Sequence, residues 1–207
     1  SNKSSNYYSL EIIMPDIQHL IFTIENIFHK NDIAISKMYH PLVSIYLNKT
    51  GKVILIDKPK QDTLMISSSY LEFEFNGSPE DLKTLKDELH FKLRDVFFVN
   101  NDKLKLLKNL FYVQKEVINN PGPRVEFQKE WIELFDWLAN GHFTFLSYCE
   151  LSIKPNKKPT LIKNSGLGIL NEANDLSSKK ELLADIKKES ERMTDYRSPF
   201  IFDRISF

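Results

Sequence analysis

YLEFEFNGSPEDLKTLKDELHFKL, residues 70–93, is the stretch on which the fold turns. From Tyr70 to Phe75 apolar and acidic residues alternate, which gives a strand with one face buried and the other wet. Asn76-Gly77-Ser78-Pro79 closes that strand. Ser78 is placed to cap a helix and Pro79 to open it, because proline lacks an N–H that the first helical turn could not have used. Leu82, Leu85, Leu89 and Leu93 then return at helical spacing, so the helix has one apolar side to lay on the sheet.

Upstream, Tyr7 to Met14 is rich in β-formers and ends at Pro15-Asp16, where a strand stops and Asp16 is expected to cap a helix. Leu20, Ile21, Ile24, Ile27 and Phe28 carry that helix to Asn31-Asp32. A strand follows from about Ile33 to Tyr46, interrupted near Pro41. Asn48 to Gly51 is a turn, and Val53 to Ile56 returns. Strand, helix, strands, helix over residues 7 to 98 is βαββαβ with its last strand short or missing. That is the ferredoxin-like plan.

Downstream of Val99-Asn-Asn-Asp102 a helix runs to about Ile118, with Leu104, Leu107, Leu110 or Phe111, and Val117 on its expected buried side. Asn119-Asn-Pro-Gly-Pro123 breaks the chain, and the expected division is 7–118 for the first domain and 124–207 for a second small αβ unit. In that unit Phe127, Trp131, Leu134, Phe135 and Leu138 trace an amphipathic helix, for which burial of Trp131 and Leu138 is expected. Asn140-Gly141 ends it, the strand HFTFLSYCEL leaves from His142, and the run Thr160 to Ile162 pairs back as a hairpin across KPNKKP. Ser178 with Glu181 reads as a capping box for a last helix bearing Leu182, Leu183, Ile186 and Met193. The whole is an α+β chain: a ferredoxin-like domain, then helices and a hairpin-containing αβ unit.

Two blocks of this second unit, WLANGHFTFLSY (residues 137–148) and NSGLGIL (residues 164–170), resemble the N-terminal non-catalytic region of the large bacterial NAD-specific glutamate dehydrogenases. Trp137, Leu138, Ala139, His142, Phe143, Thr144, Phe145, Leu146 and Tyr148 match the first motif, and Ser165, Gly166, Leu167, Gly168, Ile169 and Leu170 the second. Ser147 and Asn164 stand where that family has glycines. Trp137, His142, Phe143, Thr144, Gly166 and Gly168 are therefore taken as structural residues of the family motif. The resemblance implies that the chain is part of a longer enzyme that oxidatively deaminates L-glutamate to 2-oxoglutarate and ammonia. Its NAD-binding catalytic domain would lie further toward the C-terminus, so this piece would hold no cofactor and no catalytic residue. The family also carries ACT-type modules here, small ferredoxin-like domains that often bind amino acids. In these an effector's carboxylate meets backbone N–H groups at the start of the first helix. Asp16, Ile17, Gln18, His19 and Leu20 are the matching positions, with His19 where those modules carry glycine. Expected partners are the rest of the parent chain, further copies in a homo-oligomer, and an amino-acid effector.

Composition narrows the alternatives. Lys+Arg and Asp+Glu are both 28 of 207 residues, so no charge excess points to nucleic acid or a membrane surface. With 42% apolar residues the chain can bury real cores, and its single cysteine fits a reducing compartment. No apolar run is long enough to cross a bilayer and no signal peptide opens the chain, so a cytoplasmic location is expected. The ends, Ser-Asn at the start and FIFDRISF at the close, are expected to be cuts from something longer, the first residues being a tag remnant.

Other chemistry reads as structure. In Gly166-Leu-Gly168 the third glycine of a dinucleotide fingerprint is replaced by Asn171, so a tight turn is expected. Cys149 and His142 would sit on opposite faces of one continuous strand, which rules out a nucleophile–base pair there. His19, His29, His40, His90 and His142 show neither i, i+4 pairing nor nearby cysteines, so no metal site is expected. Glu72 and Glu74 share a strand face and read as wet surface. Two function classes remain: a non-catalytic regulatory and assembly piece of a glutamate dehydrogenase, or a free-standing interaction domain or small hydrolase unrelated to glutamate metabolism.

Overall fold

The computed structural model describes residues 6–54, 64–119, 128–152, 159–174 and 176–191. It has α+β character with antiparallel sheets, in two compact units, Ser1–Val96 and Phe97–Phe207.

In the first unit the elements run β1 (Asn6–Pro15), α1 (Leu20–Lys30), β2 (Ile35–Tyr39), β3 (Leu42–Leu47), β4 (Val53–Ile54), β5 (Leu64–Gly77) and α2 (Pro79–Asn101), the last reaching into the second unit. β5 is the centre: β1 pairs with one edge, β2 and β3 with the other, all antiparallel, and β4 continues from β3. β5 is longer than its alternating segment suggested, beginning at Leu64. Pro41 separates β2 from β3, yet its carbonyl still accepts from the Tyr70 N–H at 3.1 Å, so β5 runs unbroken past the gap.

The pairing puts Tyr8 opposite Phe75, Leu10 opposite Phe73 and Ile12 opposite Leu71 on one face. That face buries Leu71, Phe73 and Phe75 with Leu20, Ile24, Ile27 and Phe28 of α1 and Leu85 and Leu89 of α2. Phe28 meets Phe75 edge to face at 5.2 Å between ring centroids. Each such side chain taken from water contributes about 1.5–3 kcal/mol, so this layer is the main source of the unit's stability. The start of α2 is fixed as its sequence implies. Ser78 Oγ accepts from Asp81 N at 3.1 Å while Asp81 Oδ2 accepts from Ser78 N at 2.7 Å, a reciprocal box that satisfies two orphan donors. At the other end of α1, Asn31 donates to Glu88 at 2.9 Å and Lys30 pairs with it at 2.6 Å, tying α1 to α2.

The second unit holds α3 (Lys103–Asn119), α4 (Gln128–Trp137), a π-type turn Leu138–His142, β6 (Ser147–Tyr148), β7 (Leu151–Ser152), β8 (Thr160–Leu161), β9 (Leu167–Gly168), a 3-10 turn Leu176–Lys179 and α5 (Lys180–Glu191). Leu110 of α3 shares a core with Phe135 and Leu138. This shared core is why α3 belongs with α4 in the second unit, although Asn119–Pro123 looked like the domain break. Residues 120–123 lie outside the described residues, as do Phe127, most of KPNKKP, the Ser178 side chain and Met193.

Three sequence expectations need correction. Leu104 is 81% exposed and Phe111 is exposed too; Leu110 is buried as expected, but its partner one turn back is Leu106, so the buried stripe of α3 is shifted from the expected one toward Leu106. Trp131 is 39% exposed and Leu134 with it, whereas Phe135 and Leu138 are buried; Trp131, Phe135 and Leu138 share one face at i, i+4, i+7, and the core takes only the C-terminal end of that face. The expected strand from His142 is also broken. Only Ser147–Tyr148 and Leu151–Ser152 form ladders, the latter pairing with Thr160–Leu161 as the expected hairpin.

Candidate functional site

The two motif blocks meet in space. β6 pairs antiparallel with β9, Ser147 opposite Gly168 and Tyr148 opposite Leu167, and Ile169 N donates to Leu146 O at 2.9 Å. The glycines are what allow this approach. Gly168 has φ +61, and a Cβ there would lie 2.2 Å from Leu146 O; at Gly166 a Cβ would lie 1.9 Å from Leu170 O. No side chain fits either place. Gly166-Leu-Gly168 thus leads through a tight turn into Asn171–Asn174, and the next α-helix among the described residues, α5, begins only at Lys180.

Under this junction sits Asp102, fully buried between α2 and α3. Its Oδ2 accepts from Asn171 Nδ2 at 2.6 Å and from Gly168 N at 3.0 Å, and its Oδ1 accepts from Lys105 Nζ at 2.9 Å. Its own backbone continues the helices, N donating to Phe98 O and O accepting from Leu106 N. Burial pushes the carboxyl up, but the hydrogen bonds from Asn171, Lys105 and Gly168 outweigh it and hold the group below its ordinary value. Asp102 is a charged staple that fixes the second motif. Sequence reading missed it, since Asn-Asn-Asp102 signals a helix break and nothing local reveals partners that lie 66 and 69 residues on.

The first motif block buries Leu138 and packs Ala139 and Phe145 on the same core, and its remaining aromatic residues are more open. Trp137 and His142 stack at 5.0 Å with planes 3° apart on the surface, around a turn that Gly141 makes with φ 85. Phe143 and Thr144 are exposed, Phe143 lying 5.6 Å from Phe145. The strand between His142 and Cys149 is not continuous, so opposite strand faces no longer separate them. Burial, and then Glu150, push the Cys149 thiol up to about 11, which disfavours the thiolate a nucleophile needs. Among the described residues no group of three or more His, Cys, Asp or Glu could hold a metal.

The stretch Asp16–Leu20 divides between two elements. Asp16 belongs to the strand end: its N donates to Ser67 O and its Oδ1 accepts from the buried Ser69 Oγ, both at 3.1 Å. The expected cap is therefore not made. α1 begins at Leu20 with His19 before it, and the His19 side chain makes no capping hydrogen bond. Ile17 packs partly on the core, Gln18 and His19 are exposed, and Leu20 is buried. His19 has φ 65, the left-handed backbone that glycine takes freely. Asn164, at a glycine position of the second motif, also has a positive φ, 62, while Ser147 does not.

The open face of the first sheet is polar along its middle. Tyr7 donates its hydroxyl proton to Glu74, Ser9 donates to Glu72 at 3.2 Å, and Lys37 pairs with Glu74 at 3.5 Å. Glu72 and Glu74 are thus wet-face residues with neighbours of their own. No helix among the described residues is long and apolar enough to cross a membrane.

No family model matches the chain. It is similar to the NAD-specific glutamate dehydrogenase of Pseudomonas aeruginosa, 22% identical over 204 residues, which take in 95% of this chain and 12% of that protein. The chain spans a small part of the relative that it resembles.

Proposed function

We propose that the chain is a non-catalytic regulatory and assembly region, N-terminal in a longer NAD-dependent glutamate dehydrogenase, and that its first unit is an ACT-type module of ferredoxin-like plan lacking the fourth strand. The observation that carries this is the similarity along nearly the whole chain to a protein of that name. The backbone supports it from another side: His19 stands where ACT-type modules carry glycine and Asn164 where the second motif does, and both adopt glycine's conformation, whereas Ser147 does not. The strand arrangement supports the module, since β1 and the β2/β3 pair flank β5 with a helix between them in sequence.

In this reading the start of α1 receives the carboxylate of an amino-acid effector. Asp16 is engaged with Ser69 and His19 makes no capping bond, and a helix start presents N–H groups and a positive dipole end that suit an anion. His19 narrows the approach, so His19→Gly tightens binding. NAD and glutamate chemistry belong to the remainder of the parent, in the cytoplasm, and this chain holds neither cofactor nor catalytic group. The test is to express the whole reading frame and assay it with L-glutamate and NAD, then titrate the 207-residue chain and its His19→Gly variant calorimetrically with NAD and a panel of amino acids. NAD reduction by the whole protein and no NAD heat from the chain are expected. A whole protein inert toward glutamate, or micromolar NAD binding by the chain, overturns the parentage; no heat with any amino acid from either chain removes the effector role.

A further inference from the structure

We propose that the α3–α4 pair of the second unit docks on the same pair of a second copy across a twofold axis, α3 of each against α4 of the other; this deepens the assembly half of the proposed function and rests on it. The two helices carry opposite charge. α3 holds Lys103, Lys105, Lys108 and Lys115 against Glu116 alone. α4 holds Glu130, Glu133 and Asp136 against Lys129 alone. Where these groups have partners within one copy, the partners do not join the two charges to each other: Lys105 turns to Asp102, Lys129 to Glu133 of its own helix, and Asp136 accepts from Gln114. Lys108, Lys115 and Glu130 are exposed and form no ion pair among the described residues. Neither lysine has an acidic residue three or four positions away to pair with along its helix.

Between the charges, the same surfaces are apolar. Leu104, Lys108, Phe111 and Lys115 follow i, i+4, i+7, i+11 and share one exposed side of α3, turned away from the buried Leu106 and Leu110. On α4, Trp131, Leu134 and Trp137 rise at i, i+3, i+6 beside Glu130 and Glu133, all of them exposed. With Tyr112, which is exposed as well, the two helices leave six large apolar side chains in water, and contiguous apolar surface of this kind marks a contact. A whole aromatic side chain covers about 150–250 Å², so with roughly half of each exposed the six offer on the order of 600 Å² per copy. That approaches the roughly 800 Å² per partner of a stable interface before the stems of the lysines and glutamates are included.

A second copy is the occupant that fits both helices at once. An unrelated acidic helix would suit α3 and leave α4 uncovered. A twofold axis instead sets the lysines of α3 against the glutamates of α4 twice over. Stacking α3 on α3 would oppose lysine with lysine, so charge selects the pairing as well as the partner.

The test uses the whole 207-residue chain. Lys108→Glu with Lys115→Glu, and separately Glu130→Lys with Glu133→Lys, change exposed positions, so the fold persists by circular dichroism. Each variant is expected to self-associate more weakly in equilibrium sedimentation, by roughly tenfold or more. Mixed in equal amounts, the two are expected to recover the parent's association, because glutamate on one α3 then meets lysine on the other α4, and the native charges meet at the second contact. Carbodiimide treatment of nitrogen-labelled and unlabelled parent chains, mixed, is expected to join Lys108 or Lys115 to Glu130 or Glu133 in peptides of mixed isotope. Variants that associate like the parent, a mixture no tighter than either variant alone, or cross-links confined to isotopically uniform peptides overturn the α3–α4 contact and leave assembly standing. A chain monomeric at every concentration overturns both.

Discussion

Asp102→Ala tests whether the buried carboxylate holds the second unit together. The substitution leaves Gly168 N and Asn171 Nδ2 without the acceptor that both now share. Hydrogen bonds to a charged group are worth about 1.5–3 kcal/mol each when one partner is removed. The Lys105 ammonium is mostly in water, so its loss adds at most about 1 kcal/mol. With some relaxation the sum is roughly 4 kcal/mol, which lowers the midpoint of a domain of this size by on the order of 15 °C. Asp102→Asn keeps the shape and one oxygen and should cost about half as much. Both tryptophans, Trp131 and Trp137, lie in the second unit, so their fluorescence reports its unfolding apart from the first. A midpoint within about 2 °C of the parent for Asp102→Ala would refute the staple, since even one lost charged hydrogen bond should exceed that.

Three further outcomes are expected. Gly168→Ala forces a Cβ against Leu146 O from a left-handed backbone and should unfold the β6–β9 junction; a chain with normal fluorescence and an unchanged midpoint would contradict that contact. Phe135→Ala should cost about 3–5 kcal/mol through its cavity and Trp131→Ala markedly less, measured by urea unfolding; equal costs would mean that the core extends along α4 to Trp131. The second unit should lose stability as pH falls below about 4. Asp102 has an ordinary value of 3.8 and a lowered one when folded, so its contribution is full above the unfolded value and disappears as pH drops through the folded one. Asp102→Asn should flatten that acid limb, and an unaltered acid transition in the variant would exclude Asp102 as its source.

How much could be read from the chain alone depends on how local each signal is. The strand Tyr70–Phe75, its Ser78 cap and the apolar line of α2 were legible because alternation, capping and helical spacing all act within a few residues. Gly141 as the end of α4 was legible for the same reason. Which part of each apolar stripe the core takes, in α3 and α4, was not. Leu104, Leu106, Leu107, Leu110 and Phe111 share one broad side of their helix, as do Trp131, Ile132, Leu134, Phe135 and Leu138 of theirs, so periodicity finds the side and only tertiary contacts choose Leu106, Leu110, Phe135 and Leu138 within it. At the candidate site the positions Asp16–Leu20 were found, but Asp16's partner was not. The Asp16–Ser69 bond, like Asp102 and Asn171, joins residues far apart in sequence, which no local pattern records.

The reach from Asp102 to Asn171 also sets an order of events while the chain is being made. Every ladder of the first sheet, β1 to β5, closes within residues 6–77, and α2 supplies its cover by Leu89, so that unit can acquire its core while later codons are still being read. The second cannot. Its helices α3 and α4 emerge with an ionised aspartate whose hydrogen-bond donors at positions 168 and 171 have not yet been synthesised. Until they leave the ribosome, Asp102 has water, Lys105 and its neighbour Asn101 to satisfy it, and the aromatic stripe Trp131–Trp137 lacks a finished unit to belong to. The interval in which this stretch is most exposed to aggregation is therefore the one between the codons of Asp102 and Asn171, a window that a pause in translation would lengthen and a faster run of codons would shorten.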